Sequence, residues 1–208
     1  MVVQTKESQA EITPKMSLEI LKEGNRRFQL NSKLNRDLLD QVCDTADGQF
    51  PFATILSCID SRVPAETIFD TGIGDIFNVR IAGNFVNNDI LGSIEFACKL
   101  AGTKLVLVLG HSACGAVKGA CDNAELGNLT GLLDKLKPAV EAVKSPSLKK
   151  LRNSENINFV NEVSKKNIDL TIENIKSQSS VLAEMEKNGE IEIVGAYYDI
   201  RSGKVEFN

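Results

Sequence analysis

Residues 104–110 read Lys-Leu-Val-Leu-Val-Leu-Gly and run directly into His111-Ser112-Ala113-Cys114. A run of Leu and Val with no polar alternation describes a strand covered on both faces, the arrangement of a parallel sheet sandwiched by helices. Upstream, Phe-Ala-Thr-Ile-Leu-Ser-Cys at 52–58, after Pro51, has the same character, and Asp-Ile-Phe-Asn-Val-Arg at 75–80 makes a further strand. Helical patterns separate them: residues 63–70, with Pro64 suited to a first turn, and residues 89–102, with apolar positions at Ile90, Leu91, Ile94, Phe96, Ala97 and Leu100 and Gly102 at the end. Strand, helix, strand, helix, strand with short connections predicts an α/β fold with a central, mostly parallel sheet flanked by helices.

Further helices are expected from Ser112 to about Cys121, from Leu129 to Val143 and from about Leu148 to Lys187. A C-terminal strand, a turn at Ser202-Gly203 and a short edge strand fill residues 191–208. On the amino side, residues 1–15 read as polar and loosely held. Ser17 opens an amphipathic helix through Leu18, Ile20, Leu21 and Phe28, with no evident place on its own sheet, and a polar stretch follows to about Gly48. With no repeat or convincing linker, residues 1–208 read as one domain: a flexible start (1–15), a helical arm (16–47) and a core (48–208).

The chain carries 24 Lys and Arg against 28 Asp and Glu, a net charge of −4, so non-specific nucleic-acid binding lacks the basic surface that drives it. No signal peptide and no membrane span are evident, and a cytoplasmic location is expected. Five cysteines, an odd number, are too few for a disulfide scaffold. There is a single histidine, so one imidazole must serve every role an imidazole could have.

The chemistry-bearing residues gather at the carboxyl ends of predicted strands, where open α/β sheets bind ligands. His111 and Cys114, three apart at a strand-to-helix turn, can reach one point, and Cys58 at the end of the neighbouring strand can join them. Two thiolates and one imidazole suit tetrahedral zinc, and three protein ligands leave the open fourth position of a catalytic site. Taken singly, an H-x-x-C pair is more often coincidence, and a cysteine ending a buried strand is more often core. Asp60 and Arg62, two apart, can pair so that the carboxylate stays ionised and oriented; alone they would read as a plain salt bridge. Cys43, Cys98 and Cys121 read as ordinary thiols. Gly72-Ile73-Gly74 lacks the third glycine of a dinucleotide fingerprint, and no P-loop is present.

Cys58-x-Asp60-Ser61-Arg62, Arg80-x-Ala82-Gly83-Asn84 and Gly110-His111-Ser112-x-Cys114-Gly115 occur in the order and spacing of the β-class carbonic anhydrases, which the sequence resembles over roughly residues 48–206. The resemblance implies a zinc enzyme, with one Zn2+ per subunit on Cys58, His111 and Cys114, that hydrates CO2 reversibly to bicarbonate and a proton. It implies a zinc-bound hydroxide oriented by the Asp60–Arg62 dyad, and a substrate pocket of Gln49, Phe77, Ala82, Gly83 and Phe96. It also implies a homodimer, extending in some cases to a tetramer, with the N-terminal arm exchanged and the active sites at the interface. Some members close by swinging this aspartate onto the metal. The bicarbonate site that stabilises that form in some bacterial members depends on a tryptophan, which this chain lacks. Rival readings are a hydrolase of COS or CS2 on the same scaffold, and a structural-zinc or bicarbonate-sensing protein. With the one histidine on the metal, proton export is expected to depend on buffer.

Overall fold

The computed structural model describes residues 3–208. The two runs that decided the class form β1 (Ala53–Ser57) and β3 (Leu105–His111), every residue of which is buried. They are central in a five-stranded sheet of order β2-β1-β3-β4-β5, with β2 at Ile76–Arg80, β4 at Glu192–Tyr198 and β5 at Val205–Phe207. Strands β1 to β4 pair in parallel and β5 is antiparallel to β4. As an edge strand β2 is only half covered.

The unbroken apolar run of β3 is explained by a core on each face. Leu105, Leu107 and Leu109 pack with Ile55, Leu21, Phe52 and Phe69, whereas Val106 and Val108 pack with Leu56, Ile94, Ile168 and Ile175. Each such side chain contributes about 1.5–3 kcal/mol on burial. A third cluster, with Phe85, Val117, Leu133, Leu136, Phe159 and Val163, surrounds Cys58 and Cys114. The covering helices are α4 (Ala65–Ile68), α5 (Asn88–Glu95, continued by a π-turn at Phe96–Leu100), α6 (Gly115–Cys121), α7 (Gly127–Asp134), α8 (Lys137–Ala142), α9 (Ile157–Gln178) and α10 (Ser180–Lys187). Predicted long helices are broken: Pro138 opens α8, and Ser179, whose side chain accepts the Leu182 N–H, caps α10. The helix expected from Ser112 starts only at Gly115, because Ala113 has φ of 55° and Cys114 is extended.

The amino-terminal expectation is corrected. Met1 and Val2 lie outside the described residues, but Lys6–Glu11 form α1, closed by a reciprocal capping box between Thr5 and Ser8. Gln9 is buried, its Nε2 donating to the carbonyls of Pro51 (2.7 Å) and Ala101 (2.9 Å). Helix α2 (Pro14–Gln29) begins ahead of Ser17, because Thr13 caps it and Pro14 pre-sets its first turn. Ser17 lies inside the helix, donating to the Phe52 carbonyl.

Far from lacking a place, α2 docks on its own subunit. Leu21 is wholly buried, and at Gly24 a Cβ would lie 1.8 Å from the Phe69 carbonyl oxygen, so only glycine permits this approach. Asn25 donates to the Ile68 and Gly203 carbonyls and accepts the Val205 N–H. Of the apolar face that suggested a place for this helix, Leu21 is covered within the chain while Leu18, Ile20 and Phe28 are half-buried. The polar stretch before Gly48 contains α3 (Leu38–Asp44), capped by Asp37.

Candidate metal centre

Cys58 immediately follows β1, His111 is the last residue of β3 and Cys114 precedes the first turn of α6. The sheet register sets Ser57 beside Leu109, so the three residues converge at neighbouring strand ends. They are 4%, 0% and 1% exposed. Their donor atoms all lie within 4.8 Å of one another, the two sulfurs 3.9 Å apart. His111 Nδ1 is 2.9 Å from the Ser112 carbonyl, which can only accept, so Nδ1 carries the proton and Nε2 presents its lone pair. Nε2 is buried with no hydrogen-bond partner.

Such an orphaned nitrogen costs about 1–3 kcal/mol unless something occupies the point it faces. Two sulfurs bound to a tetrahedral zinc at about 2.3 Å each would be about 3.8 Å apart. The observed separation, and a donor set of two sulfurs and one imidazole nitrogen, therefore fit zinc. Cys58 is prepared for the role: the Cys114 thiol donating to it pushes its thiol down to about 4, against the effect of burial. The Gly83 N–H also points at Cys58 Sγ (3.4 Å). Cys114 is pushed the other way, by that same bond to Cys58 and by burial. A cation between the sulfurs would let both ionise.

Beside this triad, Asp60 and Arg62 form a bidentate pair. Arg62 Nε donates to Oδ1 (2.9 Å), its terminal nitrogen to Oδ2 (2.7 Å) and its backbone N–H to Oδ1 (3.0 Å). The guanidinium holds the Asp60 carboxyl down to about 2. Asp60 Oδ2 is 4.0 Å from His111 Nε2, at the edge of the triad but turned toward Arg62. Arg80, marked by the sequence only as part of a motif, ties the segment down by donating to the carbonyls of Cys58 (2.9 Å) and Asp60 (2.7 Å).

The pocket residues fall into two groups. Gly83 is buried against the triad through its N–H, with half-buried Ala82 next to it. Phe77 and Phe96 meet edge-on, ring centres 6.2 Å apart, but on the open β2 flank. Phe77 is level with Thr54, four residues and about 13 Å before Cys58 along the sheet. Gln49 is exposed and precedes the amino end of β1, the end opposite the triad. Within one chain these three residues are not brought to the metal centre. Sequence reasoning passed over Asn161 and Asn167 of α9, whose side chains hold Ala113 N and Gly83 O, and Asp199, which accepts from Ser112 Oγ. Asparagines scattered along a mixed polar-apolar helix carry no periodic or motif signal.

Residues 53–205 match the family model described as carbonic anhydrase. The chain belongs to the β-class carbonic anhydrases. It is 36% identical to carbonic anhydrase 2 of Mycobacterium tuberculosis over 92% of this chain and 91% of that protein. The carbonic anhydrase of Mycolicibacterium smegmatis is 32% identical over 93% of this chain and 92% of that one. Among solved structures, the β-carbonic anhydrase CafA of Aspergillus fumigatus superposes with a TM-score of 0.72 at 28% identity, covering 93% of this chain and 89% of its own. Among the described residues, Cys58, His111 and Cys114 are the grouping of this β-class chain that could hold a metal ion, and no helix is long and apolar enough to cross a membrane.

Proposed function

We propose that this β-carbonic anhydrase hydrates CO2 reversibly to bicarbonate and a proton, with one zinc per subunit held by Cys58 Sγ, His111 Nε2 and Cys114 Sγ. The observation that carries the reading is the buried, partnerless His111 Nε2 facing two sulfurs, with an Arg-locked carboxylate 4.0 Å away. A zinc ion supplies Lewis acidity there, which makes water a nucleophile at neutral pH.

The protein's own part is orientation. Asp60, ionised at any pH well above 2, can only accept. Arg62 occupies Oδ1 twice and Oδ2 once, leaving lone pairs on Oδ2 to take a hydrogen bond from the attacking oxygen and turn its remaining lone pair toward CO2. Ala82 and Gly83 offer an apolar wall on the same side. Phe77, Phe96 and Gln49 complete the pocket from a second subunit in this reading. The exposed Phe96 and Leu100 beside the β2 edge, and Ile59 next to Asp60, 61% exposed, favour a homodimer that covers them. The chain's one histidine is committed to the metal, so the proton leaves through water and buffer.

The test is zinc content and CO2 hydration for wild type and Asp60→Asn. The variant is expected to keep its zinc and lose about 100-fold in rate, the scale of a misoriented reacting group. Equal rates would remove Asp60 from the mechanism.

A further inference from the structure

Helix α9 reaches the loop that carries His111 and Cys114 and the loop whose Gly83 N–H points at Cys58 Sγ, through two asparagines six residues and about 9 Å apart along its axis. Asn161 Oδ1 accepts the Ala113 N–H at 3.0 Å. Ala113 stands between His111 and Cys114 with φ of 55°, a left-handed conformation that a non-glycine residue holds only under constraint. Asn167, 3% exposed, donates from Nδ2 to the Gly83 carbonyl at 2.8 Å. Gly83, with φ of 82°, is pinned from its other side by Leu136, which would lie 2.7 Å from a Cβ. Held so, it aims its N–H at Cys58 Sγ. One turn further along α9, Thr171 Oγ1 donates to the Asn84 carbonyl, fixing the same loop.

We propose that Asn161 and Asn167 are positioning residues for the metal centre: Asn161 sets the spacing of His111 and Cys114, and Asn167 maintains the N–H bond to Cys58 sulfur. The inference rests on the zinc reading above. Hydrogen bonds around ligands fix their orientation and tune how much charge a thiolate donates, and their loss costs about 10–100-fold in metal affinity or activity. The two residues act in opposite chemical senses. Ala113 N–H can only donate, so Asn161 must present oxygen; Gly83 O can only accept, so Asn167 must present its NH2.

That asymmetry supplies the experiment. On the full chain, zinc affinity is measured by competition with a chromophoric chelator, the cobalt(II)-substituted spectrum is recorded, and melting of the metal-free proteins is followed in parallel. Asn161→Ala is expected to weaken zinc binding about 10-fold, whereas Asn161→Asp, still an acceptor, stays within about 2-fold of wild type. Asn167→Leu, similar in size but without a donor, is expected to weaken zinc about 10-fold or more and to shift the sulfur-to-cobalt charge-transfer band. The proposal is overturned if Asn161→Asp falls as far as Asn161→Ala, or if Asn161→Ala and Asn167→Leu bind zinc like wild type while only their metal-free melting drops. Should Asn167→Leu fail to fold, Asn167→Ala is read in the same way, and wild-type zinc affinity with an unshifted cobalt band would overturn the role of Asn167. A wild type that binds no zinc would instead remove the metal reading itself.

Discussion

Among the described residues, the buried clusters around Asp70 and around Cys58 differ in one respect: the second brings metal-ligating atoms together. Asp70, with its side chain 3% exposed, is gripped by Arg27 Nε (2.6 Å) and Arg36 Nη1 (2.7 Å), with the Leu34 N–H on the same carboxylate and a second Arg36 nitrogen on the Asp70 carbonyl. Burial alone would raise its carboxyl, but those partners outweigh it and hold it below its ordinary value. The Cys58 cluster is as deeply buried yet leaves His111 Nε2 and two sulfurs facing one another. A buried carboxylate with both oxygens paired to guanidinium groups makes a fastening, although Arg36 Nε is left without a partner; metal-ligating atoms converging on one point make a receptacle.

The contrast predicts opposite consequences of breaking each cluster. His111→Ala or Cys114→Ser, checked by metal analysis and hydration assay, should eliminate both zinc and activity. Either variant retaining stoichiometric zinc would contradict the assignment of these donors.

Asp70→Asn strips the charge from a buried ion triad and should cost about 3–5 kcal/mol in denaturant unfolding. Its zinc per folded chain should stay at the wild-type level, and a loss of metal would show that the two clusters are coupled. Removing zinc with a chelator should lower wild-type stability by about 2.7 kcal/mol relative to protein in zinc at 100 times its dissociation constant. The same decrement should appear in Asp70→Asn if the clusters are independent.

Acid gives the smallest effect. Both Asp60 and Asp70 have folded-state pKa values below the unfolded one, so their contribution is complete above the ordinary carboxylate range and is lost as pH falls below about 4. Arg62, half exposed at 52%, leaves the Asp60 pair screened by solvent, so Asp70 should dominate. Acid unfolding of Asp70→Asn should therefore be flatter below pH 4 than that of wild type, and an unchanged slope would mean that Asp70 is not the group being titrated.

The strands and the triad were readable because they are local: Leu105–Leu109 announce burial on both faces, and Cys58 and His111-x-x-Cys114 sit where strands end. What escaped reading depends on partners distant in sequence. Gln9 belongs to a stretch whose composition suggests solvent, and only the carbonyls of Pro51 and Ala101 explain its burial. Gly24 could be recognised as a docking point for α2 only once the Phe69 carbonyl was in place, so the helix had no evident place on its own sheet. For Asn161 and Asn167 the meaning lies wholly in the loops they hold. Phe77, Phe96 and Gln49 were placed in the pocket by resemblance, and one chain by itself leaves them on the β2 flank and at the opposite sheet end.

Asn25 joins α2 to the turn before β5 and to β5 itself. Its amide clasps Gly203 and Val205, partners 178 and 180 residues further along. Contacts of that span are the costly, late ones in a folding reaction, since the intervening chain must be organised before its ends can meet. A nascent chain emerging from the ribosome therefore cannot complete the seat of α2 until β5 has been synthesised. Trimming β5 would take Val205 from Asn25 and the Phe207 ring from beneath the Lys22 ammonium, making this short strand the latch on α2.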